Sequence, residues 1–274
     1  MPFKSDELYK AYLKYNEFKK NNPASFHDRF IFPLLAGSYF AYRKVDVMRI
    51  VAIAKSISPT PRYLDVGCGY GDFLEKIREF IPTACGIEKD DNIFYLFQKE
   101  KPDYIHIGDI EDFDGQFDLI FVGWMDPGID FRKYITDKAE VVITTLDEGI
   151  SLAAEYEDQG FHRIAEWRTP SWEDVNIEIM NKYYSKDFIV TNTYQRLFDL
   201  RGAHALWYVY SRRTQKSQRI KAALRSYITQ ERSLGPLPYD FESVLDDCGF
   251  HYFEELASNN RDMELKRLWE VTFT

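Results

Sequence analysis

Three alternate glycines close an apolar run in Asp65-Val-Gly-Cys-Gly-Tyr-Gly71. The chemistry they permit is contact between a ligand and bare backbone, because a side chain at such a turn would stand where the ligand must lie. The dinucleotide fingerprint would need a further glycine at position 72, and Asp72 is there. A carboxylate at a helix start repels a pyrophosphate seated on that N-terminus. No Gly-Lys-Ser/Thr follows to cradle phosphates either. The loop of Gly67, Gly69 and Gly71 therefore suits a nucleoside without phosphates, and Asp65 ahead of it would welcome positive charge. Cys68, inside the loop, is read as a small filler.

A second short apolar run, Thr83-Ala-Cys-Gly-Ile-Glu88, ends in an acid. It lies roughly 20 residues beyond the loop, the spacing at which an acid takes ribose hydroxyls. Glu88 is read in that role.

In sequence order come Asp65 to Gly71, Glu88, Ile107-Gly-Asp109-Ile110 and Phe117-Asp-Leu-Ile-Phe-Val-Gly-Trp124. This succession resembles the motifs of class I S-adenosylmethionine-dependent methyltransferases. The resemblance covers about residues 45–170 and the strand near 204–211. It implies S-adenosylmethionine as cofactor. The 65–71 loop would hold its methionyl part and Glu88 its ribose, Asp109 would accept from the adenine amino group, and Ile110 would lie against the ring. Gly123 and Trp124 would line the methyl-transfer mouth. Gly123-Trp-Met-Asp-Pro-Gly-Ile129 is also where amino-directed members of that family carry Asn/Asp-Pro-Pro-Tyr/Phe. Here Asp126-Pro127-Gly128 is shifted beyond the usual place and lacks the second proline and the aromatic. Asp126 and Trp124 are the candidates for facing the acceptor, against the plainer readings of a turn and a core residue.

These residues need a frame. Apolar runs at 62–66, 83–87, 104–107, 117–122 and 141–145 read as buried strands. Helical patterns separate them near 72–80, 91–99 and 129–138, and another precedes the first strand at 47–57. Alternation of this kind implies an α/β fold: a doubly wound, Rossmann-like, mainly parallel sheet with helices on both faces. Seven strands are expected, the sixth near 161–167 after a helix at 150–158, the last at 204–210 and, by the resemblance, antiparallel. The tail offers a rival, since Leu265 to Phe273 also reads as a strand and Asp247-Cys-Gly-Phe-His251 echoes Asp158-Gln-Gly-Phe-His162. The earlier pair is preferred because sequential elements are usually neighbours.

The expected organisation is a helical extension or lid at 1–44, a cofactor domain at 45–211 with an insertion near 169–200, and a C-terminal extension at 212–274. Tyr9, Tyr12 and Tyr15 in the first, and Trp172, Tyr183, Tyr184 and Tyr194 in the insertion, either line an acceptor pocket or pack on the core.

Of 274 residues, 45% are hydrophobic and 29% charged, as in globular chains, and no apolar run approaches the ~20 residues of a membrane span. Three cysteines without metal-ligand spacing suggest reduced thiols in the cytoplasm. No metal site is expected, and His106, His162 and His204 are read as structural. The net charge of −9 argues against a large nucleic-acid footprint. The basic run at 212–232 argues the other way, although such runs are more often solvated helix faces. The main expectation is a methyltransferase for a small molecule. An RNA or protein acceptor using 212–232 is the second reading, and a non-catalytic cofactor-binding or scaffold protein the third.

Overall fold

The computed structural model describes residues 42, 44–96, 99–123, 130–147, 155–169, 205–234 and 270–274. Trp124, Asp126, the insertion, most of the N-terminal extension and the tail before 270 lie outside them. The chain divides into two units, of which Lys44–Arg168, Leu206–Leu237 and Glu270–Thr274 form the one described here.

Helix α1 (Lys44–Ile57) has Asp46 in its first turn and Lys55 in its last, each complementing the local end of the helix dipole. Val47, Ile50, Val51 and Ala54 recur at helical spacing and are buried. Strand β1 (Tyr63–Val66) leads through the glycine loop to α2 (Asp72–Arg78). Then follow β2 (Cys85–Glu88), α3 (Asn92–Leu96), β3 (Ile105–Ile107), β4 (Leu119–Gly123), α4 (Arg132–Lys138) and β5 (Val141–Asp147). A 3-10 turn (Glu157–Gln159) precedes β6 (His162–Thr169), and β7 (Ala205–Ser211), α5 (Thr214–Leu234) and β8 (Thr272–Phe273) complete the described chain.

The strands form one sheet in the order β3-β2-β1-β4-β5-β7-β6-β8, with every pair from β3 to β5 parallel. The seven expected strands are present, and the tail adds an eighth. It pairs antiparallel with β6 at the edge, so the earlier pair does close the sheet. The chain winds one way from β1 to β3 and the other way from β4, which puts the switch point between β1 and β4. In open α/β sheets ligands sit there, outside the carboxyl ends of the strands.

Side chains alternate between the two faces of each strand. Leu64, Ile87, Ile120, Val122 and Val142 share one buried cluster with Ile135 of α4. The opposite face carries a run of rings. Phe73 of α2 lies 5.1 Å from Phe121, Phe121 lies 5.8 Å from Trp207, and Trp207 stacks on Trp167 at 5.5 Å. The Arg49 guanidinium continues the run, 5.3 Å from the Trp167 ring centre.

Helix α5 carries the basic run and packs against α1. Ile220, Leu224 and Tyr227 form its buried stripe. Arg49 of α1 donates to both carboxylate oxygens of Glu231, at 3.2 and 2.8 Å, and Asp46 accepts from the Trp167 indole at 3.0 Å. The basic groups do not form one free stripe. Arg213 and Lys216 both meet Glu140, at 2.5 and 2.7 Å. Arg212 lies over Phe161, Arg225 lies over Phe273, and Lys221 donates to the Thr274 carbonyl.

Candidate functional site

The glycine loop turns because Gly67, Gly69 and Gly71 hold φ of 71°, 58° and 90°, a region that side chains disfavour. Its N–H groups point back into the protein. Those of Gly67 and Cys68 donate to the Ile87 carbonyl at 2.9 and 3.3 Å, and that of Gly71 to the Cys68 carbonyl at 3.0 Å. The Gly69 N–H donates to Glu88 Oε2 at 2.8 Å. Four of the loop's donors are thus taken, whereas a phosphate-binding loop needs them free.

The titratable groups nearby are acids. Asp65 is buried on β1, and burial raises its carboxyl well above the ordinary range, with Asp72 and Glu88 pushing the same way. Burial also raises the Cys68 thiol, with Asp65 and Glu88 adding to it, so Cys68 stays a thiol. Its size is set by Gly86 on β2, where an added Cβ would stand 2.6 Å from the Cys68 sulfur.

Glu88 ends β2 and is tied down on both oxygens. Oε1 accepts from the Lys89 and Asp90 N–H groups at 2.9 and 3.2 Å, while Oε2 takes Gly69. A carboxylate has about four acceptor positions, so about one remains on Oε2. Next door, register pairs Glu88 with Ile107 on β3, and the Gly108 N–H donates to the Glu88 carbonyl at 3.0 Å. Asp109 follows. Its carboxylate meets Lys89 Nζ at 2.9 Å, and that bond, with backbone N–H groups of Glu111 and Ile110, holds it below the usual range. Ile110 is buried in the cluster with Leu64 and Ile87. Gly123 ends β4, and a Cβ on Gly67 would stand 3.6 Å from its carbonyl oxygen.

Asp65, the loop, Glu88, Asp109 and Gly123 therefore all lie at the carboxyl edge of β1 to β4. Trp124 and Asp126 fall outside the described residues. Two features escaped the sequence reading. Lys89 pairs with Asp109 only because β2 and β3 run side by side. Arg132, at the start of α4, binds both oxygens of Asp130 and also Asp158, at 2.8 Å, joining α4 to the 3-10 turn. Of the histidines, His106 packs on the Phe113 ring at 5.1 Å. Among the described residues no cluster of His, Cys, Asp and Glu could hold a metal, and no helix is long and apolar enough to cross a membrane.

No protein-family model matches the chain, and no curated protein does. Solved structures do resemble it. Streptomyces venezuelae DesVI is 23% identical over 37% of this chain and 49% of its own, with a TM-score of 0.30, so the chain spans about half its length. StiE O-MT, residues 961–1257, is 15% identical over 68% of this chain and 80% of its own, at 0.45. The plantazolicin methyltransferase BpumL, in complex with a pentazolic desmethylPZN analog and SAH, is 13% identical over 76% and 99%, at 0.38. At these levels the likenesses carry no argument about activity. The strand order and the glycine loop at the switch point are properties of the chain itself, and by these it has a doubly wound, mainly parallel, Rossmann-like α/β fold.

Proposed function

We propose that this chain is an S-adenosylmethionine-dependent methyltransferase for a small-molecule acceptor. The observation that carries the reading is the state of the loop, with its N–H groups at Gly67, Cys68, Gly69 and Gly71 already taken and Asp65, Asp72 and Glu88 around it. Such a site repels phosphate and favours a ligand with an ammonium and a sulfonium. The residues fit that cofactor. Asp65, giving up the proton that burial holds on it in the ligand-free chain, and the loop carbonyls would face its cationic methionyl end, Glu88 would use its remaining acceptor position on the ribose, and Asp109 would exchange Lys89 for the adenine amino group beside Ile110.

When bound, the cofactor supplies an electrophilic methyl carbon. The protein's work is then alignment and exclusion of water. Gly123 gives the acceptor a side-chain-free approach from β4, and Trp124 and Asp126 would face it. In this reading 45–211 is the cofactor domain, 212–274 an extension of it, and the enzyme works in the reducing cytoplasm. The acidic net charge supports a small acceptor over RNA. So does the basic run at 212–232, whose groups are divided among Glu140, Phe161 and Phe273 rather than held out together.

Calorimetry with S-adenosylmethionine, S-adenosylhomocysteine and NAD tests the cofactor. The first two should bind, and binding of NAD alone would overturn the reading. Incubation with methyl-labelled cofactor and fractionated cell extract tests the acceptor, with label expected in small molecules. Label in RNA or protein would replace the acceptor, and cofactor binding without any transfer would favour a binding or scaffold role. Asp126→Ala should lower turnover more than cofactor affinity. Wild-type turnover would leave Asp126 as a turn former.

A further inference from the structure

The row of residues at the carboxyl edge continues past the cofactor loop. Gly67 lies beside Gly123, and register pairs Gly123 with Thr145 on β5. A Cβ on Gly123 would stand 3.9 Å from Thr145 Cγ2, which puts Thr145 on the same face as that bare position. Two of the three positions in the row thus have no side chain, and Thr145 supplies the third. It is 1% exposed, and its Oγ1 has no hydrogen-bond partner among the described residues.

A buried hydroxyl without a partner is destabilising relative to valine, which has the same branched shape and fits a strand equally well. Such groups call for a reason, and a ligand is one. The other unpartnered buried hydroxyls include those of Tyr63, at the opposite end of β1, and of Tyr156 and Tyr210, whose rings lie in the cluster under the opposite face. Thr145 alone of these is next to Gly123. Its direction from the loop is also informative. Glu88 and Asp109 lie on β2 and after β3, on one side of β1, and Thr145 lies two strands away on the other side, about 10 Å at the usual strand spacing. With the nucleoside half of the cofactor over β2 and β3, that side is left to the acceptor.

We infer that Thr145 contacts the methyl acceptor, its hydroxyl pairing with a hydroxyl or amine of a small molecule that enters over Gly123. The inference rests on the methyltransferase reading and adds a residue to it. Thr145→Val removes the hydroxyl and keeps the shape, while Thr145→Ser keeps the hydroxyl. Three measurements decide: the melting temperature of the ligand-free chain, the affinity for S-adenosylhomocysteine, and label transfer from methyl-labelled S-adenosylmethionine to the small-molecule fraction of cell extract. Thr145→Val should melt at or above the wild type and bind S-adenosylhomocysteine unchanged, yet transfer label about tenfold more slowly, the worth of one hydrogen bond. Thr145→Ser should transfer at close to the wild-type rate. Transfer by Thr145→Val at the wild-type rate overturns the inference. So does a lowered melting temperature, which would make the hydroxyl structural, or a weakened S-adenosylhomocysteine complex, which would assign it to the cofactor. A wild-type chain that binds no S-adenosylhomocysteine or labels nothing fails earlier, refuting the methyltransferase reading and this inference with it.

Discussion

Replacing Glu88 by alanine should have two separable effects, because the proposed function gives its carboxylate a second job. In the ligand-free chain it accepts three backbone N–H groups. Those of Lys89 and Asp90 are exposed, so water replaces Glu88 there at little cost. That of Gly69 is half-buried inside the loop, and losing a charged acceptor for it costs about 1.5 kcal/mol, the low end for such bonds. In a domain of this size that is about 3–6 °C in melting temperature. The loop bond is present with or without ligand, so most of it cancels from the binding constant. The ribose contact does not cancel. At about 1.5–3 kcal/mol it should weaken S-adenosylmethionine about 10- to 150-fold. Thermal melts and calorimetry on Glu88→Ala read the two terms independently. A lowered melting temperature with unchanged affinity would make Glu88 a loop clamp only and refute its ribose role. Weaker binding with an unchanged melt would show that the Gly69 bond contributes nothing.

Three further substitutions probe the frame. Asp65→Asn should stabilise the ligand-free chain increasingly as pH rises. The folded carboxyl titrates well above its unfolded value near 4, so the native state holds a proton that the unfolded chain has released. The stability from that proton is complete below about pH 4 and is lost as pH rises through the folded value, and parallel melting curves for the two proteins across pH would refute it. Gly86→Ala puts a methyl 2.6 Å from Cys68 Sγ and 2.7 Å from Leu74 Cδ2, an overpacking that should cost about 1–3 kcal/mol in urea titrations. Adding Cys68→Ala should recover part of the loss, and no recovery would mean that Leu74 takes the strain. Glu231→Ala leaves Arg49 buried without its carboxylate; because Glu231 is 18% exposed, the cost should be about 2 kcal/mol, below that of a fully buried pair, and an unmoved urea midpoint would refute the clamp between α1 and α5.

The central strands were legible because each is buried on both faces, and a continuous apolar run leaves little choice of structure. Tyr63–Val66, Cys85–Glu88 and Leu119–Gly123 lie within two residues of their expected ends. Helix ends were less legible. The start of α4 moved from the expected 129 to Arg132 because Asp130 Oδ1 accepts the Arg132 N–H at 3.0 Å and holds the turn before it. The tail read as a strand over 265–273, of which the described residues show Thr272–Phe273. The basic run looked like a single feature in sequence. On a helix its residues point in several directions, and one acid, Glu140, neutralises two of them from the start of β5.

The two halves of the site differ in how they are encoded. The half proposed to hold the cofactor is made by backbone: a turn that needs glycine, donors that fold back onto Ile87, and acids fixed at strand ends. Backbone geometry restricts residue type locally, so Gly67, Gly71 and Glu88 can be recognised from a few neighbours. The half proposed for the acceptor is made by side chains at positions that backbone geometry leaves open. Thr145 illustrates the difference. In sequence it is one threonine in Val141-Val-Ile-Thr-Thr145, a run that any buried strand could contain. Only the register with Gly123 and the absence of a partner for its hydroxyl among the described residues distinguish it. Both are properties of the folded sheet. In the proposed reading the cofactor is therefore legible in such a sequence before the substrate, and the substrate must be sought from unsatisfied groups at the edge of β4 and β5.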